Sequence, residues 1–146
     1  MGTTPGVAFF EAALALTGVP FRLHGRDPRG VDCVGLIALA LTAIGRQPVV
    51  PVGYRLRSLS VGPLLQFAER NGFVSTSGPE APGDVLLVHP CPIQAHLVIA
   101  SGQGGFVHAR GNSSGGDAGE SLDIAMHLKR PFLNGQNHRR EDGGSA

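Results

Sequence analysis

The sequence predicts an α+β fold, with N-terminal helices packed on a small antiparallel sheet, and three observations carry that prediction. Helical periodicity fills the first half of the chain and stops at Gly78-Pro-Glu-Ala-Pro82, after which short strand-like segments follow. The segment opening at Cys33 is apolar nearly all round, as expected of a central, buried helix. With 146 residues and 42% hydrophobic side chains the chain can build a single core, made mostly of Leu, Val, Ile and Ala.

The elements follow in order. Pro5 to Leu16 reads as an amphipathic helix stopped by Gly18 and Pro20. Gly25 to Gly30 is turn-rich, with Asp27-Pro28 at its centre. Asp32 is placed to cap a helix over Cys33 to Ile44, and Gly45 to end it. Val49 to Arg57 reads as a loop that covers something, and Leu59 to Asn71, closed by Gly72, as a further helix. The predicted strands are Val85 to His89, Gln94 to Ser101, Gly105 to Arg110 and Ser121 to Leu128. The domain is expected to span 1–133, leaving 134–146 as a disordered tail with almost nothing to bury.

Composition narrows the function classes. The formal charge is +1 and no basic stripe stands out, so no nucleic-acid footprint is expected. No apolar run approaches membrane-spanning length. Cys33 and Cys91 are too few for the disulfide framework of a small secreted domain. The first residues lack a basic stretch, and Glu11 interrupts the apolar run. Synthesis in the cytoplasm without a signal peptide is therefore expected.

Cys33 opens its helix directly after Asp32, and unpaired N–H groups at a helix start favour a thiolate, so a lowered thiol pKa is expected of a live site. His96 and His108 arrive downstream on strand-like segments. Cysteine, then histidine, then a polar orienting group is the order of a papain-like hydrolase. A three-residue loop inside Ser101-Gly-Gln-Gly-Gly105 would set the two histidines opposite each other on one sheet face, with Cβ atoms roughly 4.5–5.5 Å apart. His96 is then the base and His108 its orienting partner. Plainer readings stand beside these: a helix-terminal cysteine is often a small buried hydrophobe, a strand histidine often structural, and Asp32 a cap.

The remaining polar residues say less. His89-Pro-Cys91-Pro with His96 offers zinc-type ligands but no recognisable framework, so no metal and no cofactor is expected, and Cys91 reads as a rim thiol. His24 lines a cleft or sits on the surface, and Asp84 buttresses a strand start. His127 and His138 carry no argument.

Pro20-Phe-Arg-Leu-His-Gly25 followed by Gly30-Val-Asp-Cys-Val-Gly-Leu36 resembles the NlpC/P60 motif, Pro-Tyr-x-x-Gly-Gly ahead of Asp-Cys-Ser-Gly-Leu. Pro82-Gly-Asp-Val-Leu86, His96-Leu-Val-Ile99 and Phe106-Val-His-Ala109 resemble the later segments in the family's order, from roughly Phe9 to Arg130. The stretch from Gly25 to Leu36, with Pro48-Val-Val-Pro-Val-Gly-Tyr54, is similar to the compact branch found in tail gene clusters of phages and gene transfer agents.

The resemblance implies a papain-like fold and thiol-dependent hydrolysis of a peptidoglycan stem peptide, usually between γ-D-glutamyl and a diamino acid. It implies Cys33, His96 and His108 as catalytic residues, with Phe21, His24, Asp32 and Val34 lining the substrate or oxyanion region. Phe21 stands in place of the family's Tyr and Val34 in place of its Ser. The implied partners are phage-like tail-tip or baseplate proteins, carrying the protein on a particle to the cell envelope. Two other readings stay open: a thiol amidase or acyltransferase on another amide or lipid, and a structural tail-tip component with a vestigial site.

Overall fold

A computed structural model of the chain describes residues 4–56, 60–91, 93–109 and 123–130. The expected starts and ends at Arg57, Leu59, Arg110 and Ser121, the 133/134 boundary, the tail with His138, and the Cys91 side chain lie outside what is described.

Helix α1 spans Pro5–Leu14. Thr4 caps it, its hydroxyl accepting from the Val7 amide at 3.3 Å, and Pro5 costs nothing in the first turn, where its missing N–H would have no partner. It ends earlier than the expected Leu16. The chain tightens into shorter turns, with Leu16 N–H on Ala13 O and Thr17 N–H on Leu14 O, before Gly18 takes a left-handed φ of 96°.

A small hairpin follows, β1 (Arg26–Asp27) with β2 (Gly30–Val31), where a turn-rich loop was expected. The Asp27 carboxylate accepts from the Arg29 amide at 2.8 Å and closes the turn.

Helix α2 spans Cys33–Ala43. It is buried from Cys33 to Ala38 and again at Ala40 and Leu41, so it is the central helix the sequence called for. Gly45 ends it at φ 89°, with Arg46 N–H reaching back to Leu41 O. Helix α3 spans Gly62–Arg70 and turns Leu64, Phe67 and Ala68 inward.

Strands β3 (Val74–Ser75), β4 (Val85–Cys91), β5 (Gln94–Ala100), β6 (Phe106–Val107) and β7 (Asp123–Lys129) form one antiparallel sheet in the order β3-β7-β4-β5-β6. Strand alternation divides it. Val85, Leu87, Leu97 and Ile99 join the main core with α1 and α2, whereas Leu86, Val88 and Val98 form a smaller cluster with Phe106. Each fully buried aliphatic side chain contributes about 1.5–3 kcal/mol. Strand β3 was not foreseen; it is two exposed residues recruited by β7, with Val74 opposite Lys129.

Candidate active site

The first turn of α2 is built around a buried carboxylate. Asp32 has no exposed surface, and its oxygens take three donors: Gly35 N–H on Oδ1 at 2.8 Å, His24 N–H on Oδ2 at 2.7 Å, and the Tyr54 hydroxyl on Oδ2. The first is the helix cap. Glycine is required at position 35 because a Cβ would run into the Gly25 carbonyl oxygen, so the hairpin loop lies directly on the helix.

Cys33 is also fully buried. Burial pushes its thiol up to about 12 and the Asp32 charge adds to this, outweighing the backbone N–H groups of Leu97, Val34 and Cys33 itself. The lowered pKa expected of a helix N-terminus is therefore not what this site has: desolvation of the sulfur is the larger effect. The Leu97 amide nevertheless places the sulfur against β5, one residue from His96. Strand β6 pairs only as far as Val107 opposite Ile99, so at Leu97 the chain has passed beyond its register.

His96 is 8% exposed and lies opposite Val88 on β4. Its ring meets that of His108 edge to face, centroids 5.5 Å apart and planes at 86°. The residues are diagonal rather than directly opposed. Ser101 N–H bonds Gly105 O around a three-residue loop and Ile99 faces Val107, a register that pairs His108 with Val98. Diagonal partners share a face, and an imidazole spans the extra distance. By alternation that face is the one carrying Val98.

The residues expected to line the substrate are placed differently from one another. Val34 and Asp32 present no surface. Phe21 is half-buried beside Val31, with Arg22 N–H on Val31 O. His24 is exposed and sits at φ 64°, in the position where the Pro-Tyr-x-x-Gly-Gly motif has its first glycine. A non-glycine residue there stores about 1 kcal/mol of backbone strain. Its side chain is used: Nε2–H donates to the Tyr54 carbonyl oxygen at 2.8 Å, and its ring meets the Tyr54 ring edge to face with centroids 4.5 Å apart.

Among the described residues, no group of three or more His, Cys, Asp or Glu gathers into a metal-binding set, and no helix is long and apolar enough to cross a membrane. The His89 ring is bonded through Nδ1 to the Gln94 carbonyl oxygen at 3.1 Å.

No protein-family model matches the chain, and no curated protein matches it. Solved structures do. The NlpC/P60 domain of the peptidoglycan hydrolase SagA superposes with a TM-score of 0.52 at 25% identity, covering 86% of this chain and 97% of that one. The fold is that of an NlpC/P60 domain. NlpC1 from Trichomonas vaginalis gives a TM-score of 0.62 at 17% identity over 89% of this chain, and an NlpC/P60 family protein from Bacillus cereus ATCC 10987 gives 0.57 at 20% over 92%. The chain spans under half of those two proteins, 45% and 42% of their lengths.

Two features of this domain escaped sequence reasoning. Tyr54, which the sequence places in a loop and at the end of the Pro48–Tyr54 segment, is 6% exposed and bonded to the N-cap of α2. The other is Asp84, which is more than a strand buttress: its buried carboxylate takes Ala81 N–H at 2.9 Å, His127 Nε2 at 2.8 Å and Lys129 Nζ at 3.0 Å. Alternate positions on β7 put both partners on one face, a signal visible only once β7 is paired with β4.

Proposed function

We propose that the chain is a thiol-dependent peptidoglycan endopeptidase that cleaves stem-peptide amides of the γ-D-glutamyl–diamino acid type. The observation that carries the proposal is the NlpC/P60 fold with Cys33 at a capped helix start, its sulfur against the Leu97 amide beside the His96–His108 ring pair. The Leu97 amide that meets the sulfur belongs to the residue next to His96 on β5, which supports pairing the two groups. The likeness to the SagA domain, described as part of a peptidoglycan hydrolase, supports the substrate class.

The raised thiol pKa shapes the chemistry. Cys33 is a neutral thiol at rest, so His96 removes its proton as the sulfur attacks the amide carbonyl. His108 holds the imidazole in place and supports its positive charge. The imidazolium then protonates the departing amine, and water hydrolyses the thioester, returning Cys33 as the thiol. We further place this activity at a phage-like or gene-transfer-agent tail tip, on the strength of the Gly25–Leu36 and Pro48–Tyr54 segments that resemble that branch.

Digestion of purified peptidoglycan followed by mass analysis of the fragments tests the reaction. Wild type should release peptides cut after γ-D-glutamyl, and Cys33→Ala none while remaining folded. Cys91→Ser should keep most activity; equal loss from both substitutions points to a different role for the thiols. Co-purification with tail or baseplate proteins from intact particles tests the location, and finding the protein only free in the cytoplasm, with infectivity indifferent to Cys33→Ala, overturns it. A specific observation favours one other reading: a thiol with no exposed surface suits a tail-tip component whose site is vestigial. Failure of wild type to digest any peptidoglycan would select it.

A further inference from the structure

The segment from Val49 to Leu56 is tied down at three places. At one end Val49 N–H donates to Asn71 Oδ1 and the Asn71 amide donates to Val49 O, both at 2.8 Å. At the other, Ala95 N–H on β5 donates to Leu56 O at 2.9 Å. Between them Tyr54 is turned inward, while Val52 is 95% exposed. The one phenol of the chain is thus carried to the residue that precedes Cys33.

We propose that Tyr54 is a positioning residue of the thiol centre: its hydroxyl, held by the His24 imidazole on its backbone, screens the charge of the Asp32 carboxylate so that a thiolate can form next to it. The argument is electrostatic. A thiolate forming on Cys33 has a carboxylate as its chain neighbour in a site closed to water, and like charges there oppose ionisation strongly. The Asp32 charge does push the Cys33 thiol up. Three donors on that carboxylate spread its charge and hold it toward the helix cap. Two are backbone amides and cannot be altered by side-chain choice. The hydroxyl of Tyr54 is the variable one.

The other titratable groups of this region are His96 on β5 with its ring partner His108, and, beside Asp32 and Tyr54, His24 on the turn before β1 and Arg26 on β1, whose charge also acts on Tyr54. None of them donates to Asp32 through its side chain among the hydrogen bonds of this site. Burial and the hydrogen bond to Asp32 raise the Tyr54 phenol well above its ordinary value, so it stays a donor throughout the working pH range.

This inference rests on Cys33 being the nucleophile of the proposed reaction, but its test uses no peptidoglycan. Second-order rates of Cys33 alkylation by iodoacetamide at pH 8 are compared in a Cys91→Ser background. Far below the thiol pKa the rate follows the thiolate fraction, so raising that pKa by about one slows alkylation roughly tenfold. Tyr54→Phe should slow alkylation about tenfold, and Asp32→Asn should speed it by a similar factor. The double variant should react like Asp32→Asn, because the hydroxyl has no charge left to screen. A role as a mere cover over the sulfur would change the rate by the same factor in both backgrounds; that result, or an unchanged or raised rate in Tyr54→Phe, overturns the proposal. Should Tyr54→Phe fail to fold, Asp32→Asn decides: a rate no higher than wild type overturns it. If these rates behave as expected while wild type digests no peptidoglycan, the fault lies with the proposed reaction and not with Tyr54.

Discussion

His96 and His108 meet edge to face, with ring centroids 5.5 Å apart, although they sit two residues out of direct register. The pair is therefore held by ring contact across a diagonal, which makes the geometry sensitive to the size of residue 108. His96→Ala should lower turnover by at least about 10²-fold, the scale of a lost general base. His108→Gln should cost less than His108→Ala, because a long amide can still reach across the diagonal and Ala cannot. Steady-state rates on a synthetic stem peptide would check both. A larger loss from Gln than from Ala contradicts the orienting role.

A second expectation concerns alkaline stability. An unfolded cysteine titrates near 9.0, whereas folded Cys33 holds its proton to about 12. Well below pH 9 both states are protonated and nothing changes. As pH rises from 9 toward 12 the unfolded chain releases a proton that the folded one keeps. Stability must then fall, by up to about 1.4 kcal/mol for each step of one in pH. Tyr54, also raised, adds a further loss above pH 10. Urea midpoints at pH 8, 9 and 10 should decline in wild type and decline less in Cys33→Ala. With one Tyr and no Trp, absorbance at 295 nm reports Tyr54 alone, and it should stay in the phenol form until the protein unfolds.

The parts of this molecule legible in the sequence are those set by local chemistry. Asp32, Gly45 and Gly72 mark helix ends because caps and left-handed turns act within a few residues, and all three do so here. The apolar surround of α2 announces its burial. What was hidden depends on distant partners. Strand β3 exists because β7 pairs with it, and nothing in Val74-Ser75 says so. Tyr54 reaches Asp32 across 22 positions of chain, through a loop whose course Asn71 and Ala95 fix. The offset of His108 follows from which residues flank the loop, Ser101 and Gly105, and parity alone could not choose between registers two residues apart. The helix N-terminus beside the thiol is visible in the sequence, whereas the complete burial of the sulfur that raises its pKa is not.

Gly35 tests how closely the hairpin loop must seat on α2. A methyl group there meets the Gly25 carbonyl oxygen, which belongs to backbone and cannot swing aside. Gly35→Ala should cost about 3 kcal/mol through overpacking, lowering Tm by roughly 6–12 °C for a domain of this size. Activity should fall with it even at temperatures where the protein stays folded, because the displaced turn carries the His24 amide that bonds Asp32. Calorimetry paired with rates at about 15 °C, near the usual maximum of stability, would separate the two effects. A variant that melts early but works normally in the cold would show that the turn can shift without disturbing Cys33.

Asp84 supplies the opposite case, a buried charge cluster remote from the thiol. Its amide and carbonyl flank the start of β4, where Ala100 N–H donates to Asp84 O at 2.7 Å. Ala100 is four residues along β5 from His96, about 13 Å at strand rise. Asp84→Ala leaves the Ala81 amide, the His127 ring and the Lys129 ammonium without their shared acceptor. Lys129 is part-exposed and can turn to water, which limits the loss, so the expected cost is about 2–4 kcal/mol. Asp84→Asn, which keeps the shape and one acceptor, should cost less. Neither should change kcat/KM more than twofold below the melting transition, because no bond of this cluster runs to Asp32, Cys33 or His96. Urea titrations and peptide hydrolysis on the same samples check the pair of statements, and a large fall in activity without a fall in stability would mean that the cluster acts on the site.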